Sequence, residues 1–176
     1  MQQTYAVGSH VRYGGTGICR IDRMEDIAYP GQAQPRRCYV LKPLRNAGIE
    51  VSVPLDNAVL CGKIRPLLTK DEIDAMLEAA LHAEDLPWNE DRKLRSQEFR
   101  KLLAAGDSET LLALVRTILH RKAELRHGGK RLSSADENAR KDAERMLDEE
   151  FAFSLGVTPE EAGRYIRSKL QGDAVQ

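Results

Sequence analysis

The hydrophobic period changes once along this chain, at about Thr69, and the change dictates a fold in two parts. Before it, apolar residues recur at every second position in short runs bounded by Gly, Pro, Asn and Asp, the pattern of half-buried strands. After it they recur at spacings of three and four, the pattern of helices packed on one face. Residues 7–13 alternate, with Val7, Val11 and Tyr13 on one side, until Gly14-Gly15-Thr16-Gly17 breaks the run. Residues 18–24 resume it, 29–35 form a turn-rich loop, and 37–41 make a third strand. Arg45-Asn46-Ala47-Gly48 supplies a hairpin turn into residues 49–53, a strict alternation that Pro54 closes or leaves on a sheet edge. Residues 56–62 and 64–67 complete four or five short strands, too few for a sandwich and enough to curl into a small barrel.

From Thr69 the punctuation is that of helices. Thr69-Lys70-Asp71-Glu72 is a capping box opening a helix to about Glu84, with Ile73, Met76, Leu77, Ala80 and Leu81 on one face. Pro87 bars its predecessor from helical geometry, so a new helix is expected from about Trp88 or Asn89. It carries Leu94, Phe99, Leu102 and Leu103 to a stop at Gly106. Asp107 caps a third helix whose leucine-rich face, with Val115 and Ile118, is the most apolar in the chain and places it centrally. Arg126-His127-Gly128-Gly129-Lys130-Arg131 reads as a flexible basic loop before a second capping box at Ser134-Ala135-Asp136-Glu137. That box begins a long helix ending at Gly156, and Thr158-Pro159-Glu160-Glu161 starts the last one, to about Leu170. The expectation is an α+β chain: a strand domain over residues 1–67, a helical domain of about five helices over 69–172, and a frayed tail at 173–176.

Composition excludes more than it proposes. The formal charge of zero hides an asymmetry, with nine Lys/Arg against five Asp/Glu through Leu68 and eighteen against twenty-two beyond it. Any polyanion site is therefore local. Cys19, Cys38 and Cys61 are odd in number and lack a Cys-x-x-Cys pair, which argues for reduced thiols and against a disulfide framework or a zinc site. Cys19 and Cys38 fall on expected strands as small core fillers. The four histidines form no His-x-x-x-His pair, no Gly-x-Ser-x-Gly elbow occurs, and no Lys-Ser/Thr follows the Gly14 to Gly17 turn. No catalytic residue, metal or cofactor is expected, so the chain does not read as an enzyme. It has no basic start followed by an apolar stretch and no run long enough to span a bilayer, which points to a soluble cytoplasmic protein, and a monomer is expected.

Several short motifs in the strand half occur in an order that resembles the polymerase-interacting module of the CarD/CdnL family, a Tudor-like (SH3-like) β-barrel also found in transcription-repair coupling factors. They are Val7-Gly8-x-x-Val11-x-Tyr13, Gly17-Ile18-x-x-Ile21, Tyr39-Val40-Leu41, Val51-x-Val53-Pro54-x-Asp56-Asn57-Ala58 and Gly62-x-Ile64-Arg65. The resemblance implies that an exposed strand edge grips the β subunit of bacterial RNA polymerase through the backbone. The residues it points to are Val51, Ser52 and Val53, and Arg23, Arg36 and Arg37 are rim cations that could supply charge in place of the family's own. Two assisting arginines of the family fall at Ile27 and Ser52, and Gly14-Gly15-Thr16 stands where the family has a proline and histidines.

The helical half is similar to the C-terminal domain of the same family. The matching pieces are Trp88, Leu102-x-x-x-Gly106-Asp107, Val115-x-x-Ile118-Leu119-x-Arg121, Leu132-Ser133 and Ala143-x-x-x-Leu147-x-x-Glu150. It implies a transcription regulator whose tryptophan meets promoter DNA at the upstream fork of the bubble, inserting at the minor groove and modulating open-complex stability. Trp88, Arg92, Lys93 and Arg95 are the expected DNA contacts, and the protein is expected at the nucleoid through polymerase. Glu90 and Asp91 stand where the family has basic residues, so DNA binding without polymerase is expected to be weak. They also keep open an alternative, a Tudor-like adaptor that binds a protein partner and does not touch DNA.

Overall fold

Strands with one α-helical turn among them run up to Pro66 and helix follows helix from Lys70 in the computed structural model, which describes residues 4–170. The chain divides between Leu67 and Leu68 into two compact units. The expected frayed tail at 173–176 lies outside the described residues.

The first unit is a five-stranded antiparallel sheet, built from β1 (His10–Tyr13), β2 (Gly17–Ile27), β3 (Arg36–Pro43), β4 (Val51–Pro54) and β5 (Ile64–Pro66). The hydrogen-bonded order is β4-β3-β2-β1-β5, an open sheet with β4 and β5 as its edges. Gly17, at φ 90°, turns the chain from a short 3-10 segment (Gly14–Thr16) into β2. Asp22 is an extra residue in β2, since Ile21 pairs with Leu41 and Arg23 already pairs with Val40. This bulge keeps Arg23 outside and returns Met24 to the core that Val11, Cys19, Ile21, Tyr39, Leu41 and Val53 form. Burial pushes the Cys19 thiol up to about 11, as suits a core filler.

Two local expectations are corrected here. The first strand begins at His10 rather than Val7. Residues 58–61 are not strand but a helical turn, α1 (Ala58–Cys61), because the Asn57 side chain accepts the Leu60 amide at 3.1 Å and caps it.

The second unit is all helix: α2 (Lys70–His82), α3 (Arg92–Ala105), α4 (Ser108–His127), α5 (Ser134–Leu155) and α6 (Pro159–Leu170). Helix α4 packs against α2, α3 and α5, and its Leu111, Leu112, Leu114 and Ile118 are at most 1% exposed. Leu81, Leu94 and Leu119, expected on apolar faces, are exposed. The Thr69 and Glu72 pair forms the reciprocal capping box, and Thr158 and Glu161 form another. The cap of α5 is Ser133, one residue before the expected Ser134, because its hydroxyl accepts the Asp136 amide at 3.2 Å.

Helix α6 approaches α5 at Gly163, where a Cβ would stand 3.0 and 3.1 Å from the Asp148 carboxylate oxygens. Burial, reinforced by Glu144, pushes the Asp148 carboxyl up from 3.8 to about 6. The folded state thus holds this proton more tightly than the unfolded one, and stability falls as pH rises between these two values. Asp148→Asn is expected to be more stable than the native chain at pH 7 by about 1–2 kcal/mol, a figure reduced for screening of a half-buried group. The advantage should disappear below about pH 4, which urea titrations at the two pH values check.

Candidate functional site

Two places carry the residues singled out above, one in each unit. In the sheet, β4 bonds to β3 on one side only. The Leu55 amide donates to the Arg37 carbonyl at 2.9 Å, which sets the alternation along the pair. Val53 opposite Tyr39 and Val51 opposite Leu41 are therefore the hydrogen-bonded pairs, whereas Ser52 opposite Val40 turns its N–H and C=O to the free edge. Pro54 occupies the next outward position and offers a carbonyl with no donor. The side chain of Val53 is fully buried, that of Val51 packs against the same core, and the N–H and C=O of both face β3, so what this edge offers a partner is the Ser52 backbone and the Pro54 carbonyl.

The cations flanking this edge are already matched. Both terminal nitrogens of Arg23 donate to Glu50 at 3.0 Å, and the same guanidinium reaches Glu25 at 2.9 Å and Asp22 at 3.1 Å. Glu50 first and Glu25 next hold the arginine above its ordinary pKa. Lys42 of β3 joins the same carboxylates, 3.1 Å from Asp22 and 3.6 Å from Glu50. Arg37 lies 3.3 Å from Asp26. Arg23 and Arg37 are thus members of surface ion pairs, a family of contacts that steers encounter more than it adds affinity.

In the helical unit, the extended connection between α2 and α3 runs along one stripe of α4. Asp85 pairs with Arg116 at 3.2 Å and with His120 at 2.8 Å, and the Leu86 amide donates to the Thr117 hydroxyl at 2.9 Å. Burial raises the Asp85 carboxyl pKa, but His120 and Arg116 together lower it further, to a net value below the ordinary one. One turn along, Arg121 meets Trp88 and Glu90. Trp88 precedes α3 rather than standing in its first turn, a correction with a local cause. Asp91 accepts the amides of Lys93 and Leu94 at 2.8 and 3.0 Å and so fixes the helix start at Arg92. Asp91 is therefore a structural cap, and its charge also suits the positive end of α3.

Trp88 is half-buried. Its ring meets Phe99 edge-on at 5.9 Å, while the guanidinium carbons of Arg95 and Arg121 lie 4.4 and 5.5 Å from its centroid. Arg95, expected among the DNA contacts, has its side chain 6% exposed and engaged with Asp136 through two bonds of 3.0 and 2.9 Å. It also donates to the Asn89 carbonyl at 2.6 Å, which pins the backbone at the residue after the indole. Arg95 thus positions Trp88 and does not stand on the surface. Arg92 and Lys93 are exposed, and no carboxylate pairs with either among the described residues. Arg121 is shared between Glu90 and Glu124, each at 3.0 Å.

These groups wall a cleft of about 380 Å³, to which Arg92, Arg131 and Leu132 also contribute. It offers one aromatic face, two cations free of carboxylates and a third that Glu90 neutralises. Such a set suits a planar base or an anionic backbone. Sequence reasoning missed Asp136 and Arg121 as the parts that hold the indole. The available signal was Arg95 itself, one helical turn before the buried Phe99 and hence on the inner face of α3. No family model matches this chain, and no curated protein matches it.

Proposed function

We propose that this chain is a non-enzymatic bacterial transcription regulator. Its sheet unit, taken as a Tudor-like module, binds the RNA polymerase β subunit by its β4 edge, and its helical unit contacts promoter DNA at the upstream fork through Trp88. The bulge in β2, a feature that bends a strand, and the strand order suit a small curled module. No helix among the described residues is long and apolar enough to cross a membrane. The observation that carries the reading is the mounting of Trp88, the only tryptophan, against Phe99 and beside two guanidinium groups on the wall of a cleft that Arg92 and Arg131 also line. A ring held this way meets an exposed base without first being ordered.

The test is Trp88→Ala in the full chain, with bacterial RNA polymerase on a promoter. Polymerase binding is expected to persist while open-complex lifetime shortens by the loss of one stacking contact, about 1–3 kcal/mol. The adaptor reading is favoured by one observation, that Glu90 already neutralises Arg121 beside the ring. An open-complex lifetime unchanged by Trp88→Ala, in a protein that still binds polymerase, would decide for the adaptor.

A further inference from the structure

Of the basic segment from Arg126 to Arg131, only Arg131 enters that reading. We propose that it forms, with Lys122, a second cleft for the phosphodiester backbone of the same nucleic acid, an inference that rests on the helical unit contacting DNA at Trp88. Arg126 and His127 close α4 rather than open a loop, and the turn after them is hydrogen-bonded. The Gly128 and Lys130 amides both donate to the Leu125 carbonyl, at 3.1 and 2.8 Å, and the Gly129 amide donates to that of Arg126 at 3.1 Å. Gly129 takes φ 68°, which closes the turn, and Lys130 and Arg131 are thereby presented beside the end of α4.

Lys122 and Arg126 stand one turn apart on the same face of α4. With Lys130 and Arg131 they line a cleft of about 580 Å³ whose one acidic lining residue is Glu137. Glu137 is shared between Lys122 and Arg140, and burial notwithstanding, Lys122 first holds its carboxyl below the ordinary range. Arg126, Lys130 and Arg131 pair with no carboxylate among the described residues. Cations in a last helical turn complement the helix dipole, a weak effect confined to that turn. It accounts for Arg126 and not for Lys130 and Arg131, which lie beyond the helix, nor for three uncompensated charges in a part of the chain with an acidic excess.

Arg131 and Leu132 line both this cleft and the one at Trp88. The two are therefore contiguous, and a strand leaving the indole past Arg92 meets Arg131 next and Arg126 and Lys130 after it. Four cations line this cleft and Arg131 carries the positive lining on to Arg92 in the next, which fits a chain of phosphates better than a single anion.

The experiment is a salt titration of the full chain against a labelled forked DNA duplex. It compares the native protein, Trp88→Ala and the triple variant Arg126→Gln, Lys130→Gln, Arg131→Gln. The triple variant should show a log–log salt slope shallower by about 2–3, near 0.9 for each lost phosphate contact. Trp88→Ala should weaken binding at every salt concentration and leave the slope unchanged. Because Arg126 belongs to α4, the double variant Lys130→Gln, Arg131→Gln guards against a helix defect and should lose about 2 from the slope. An unchanged slope in a folded triple variant overturns the second cleft, and weaker binding by Trp88→Ala in the same series shows that the reading of Trp88 survives. Fork binding indifferent to Trp88→Ala, with the slope lost in the triple variant, supports the cleft and counts against the wedge. Loss of binding to phosphatidylglycerol vesicles, with the DNA slope intact, also overturns the proposal and assigns the segment to a lipid surface.

Discussion

Asp136→Ala is expected to lower the unfolding free energy of the helical unit by about 3–5 kcal/mol, the cost of leaving a buried cation without its partner. Asp136 is 3% exposed and Arg95 5%, and the two oxygens of the carboxylate take both guanidinium bonds. The same carboxylate accepts the Ser133 hydroxyl at 2.6 Å, so the change also loosens the start of α5. Burial raises the Asp136 pKa, and Arg95 with Ser133 lowers it by more, for a net depression. Its contribution is therefore complete above the unfolded value near 4 and is lost as pH falls through the lower folded value, so the gap between native and variant should close in acid. Urea unfolding followed by tryptophan emission measures this directly, because Trp88 is the only tryptophan and its ring lies against Arg95. Arg95→Met with Asp136→Leu, which removes both charges, should come close to native stability. A single-variant loss below about 1 kcal/mol would mean that Arg95 reaches water and that the mounting of Trp88 does not depend on the pair.

What was legible in the helical unit is what residues settle with near neighbours. Thr69 with Glu72, Asp107, the left-handed Gly106 and Gly156, and Thr158 with Glu161 all act across four residues or fewer, and each stands where the sequence puts it. Misplaced boundaries came from competition between adjacent capping residues. Asn89 and Asp91 both suit the start of α3, and Asp91 prevails because its carboxylate reaches two amides while Asn89 accepts only the Asp91 amide itself. Ser133 and Ser134 compete in the same way. The Arg95 and Asp136 pair joins residues 41 apart, and no local period carries that information.

In the sheet the alternation gave the strands and their inner faces, while the bulge at Asp22 was hidden because an inserted polar residue looks like ordinary alternation until the partner strand is known. Residues 58–61 were misread for a related reason. Ala58, Val59, Leu60 and Cys61 have the composition of a strand, and the single capping bond from Asn57 turns them into helix. Arg37 meets Asp26 directly across the β2 and β3 pair and Arg23 meets Glu50 at a separation of 27 residues, so neither contact is visible in the local sequence.

Ser52→Pro is expected to abolish binding of the full chain to the polymerase β subunit without unfolding the sheet. The two halves of that statement follow from one feature, the outward direction of the Ser52 amide. Proline removes an N–H and adds a ring where the N–H was, and at most positions in a sheet this breaks the ladder. At Ser52 the ladder is intact, since its bonds to β3 run through Val51 and Val53, and Pro54 shows that the next outward position already tolerates the ring. An incoming strand, by contrast, would find no donor at Ser52 or Pro54 and would have a carbonyl left unsatisfied, a cost of about 1–3 kcal/mol before the steric effect of the ring. Val53→Pro is the opposing control: its amide belongs to the pair with Tyr39, so the variant should lose the sheet itself. Circular dichroism separates the two variants, and binding to a purified β-subunit fragment completes the comparison. A folded Ser52→Pro chain that binds the fragment as the native protein does would move the polymerase contact off the β4 edge, leaving β5 as the other strand with an unpaired side.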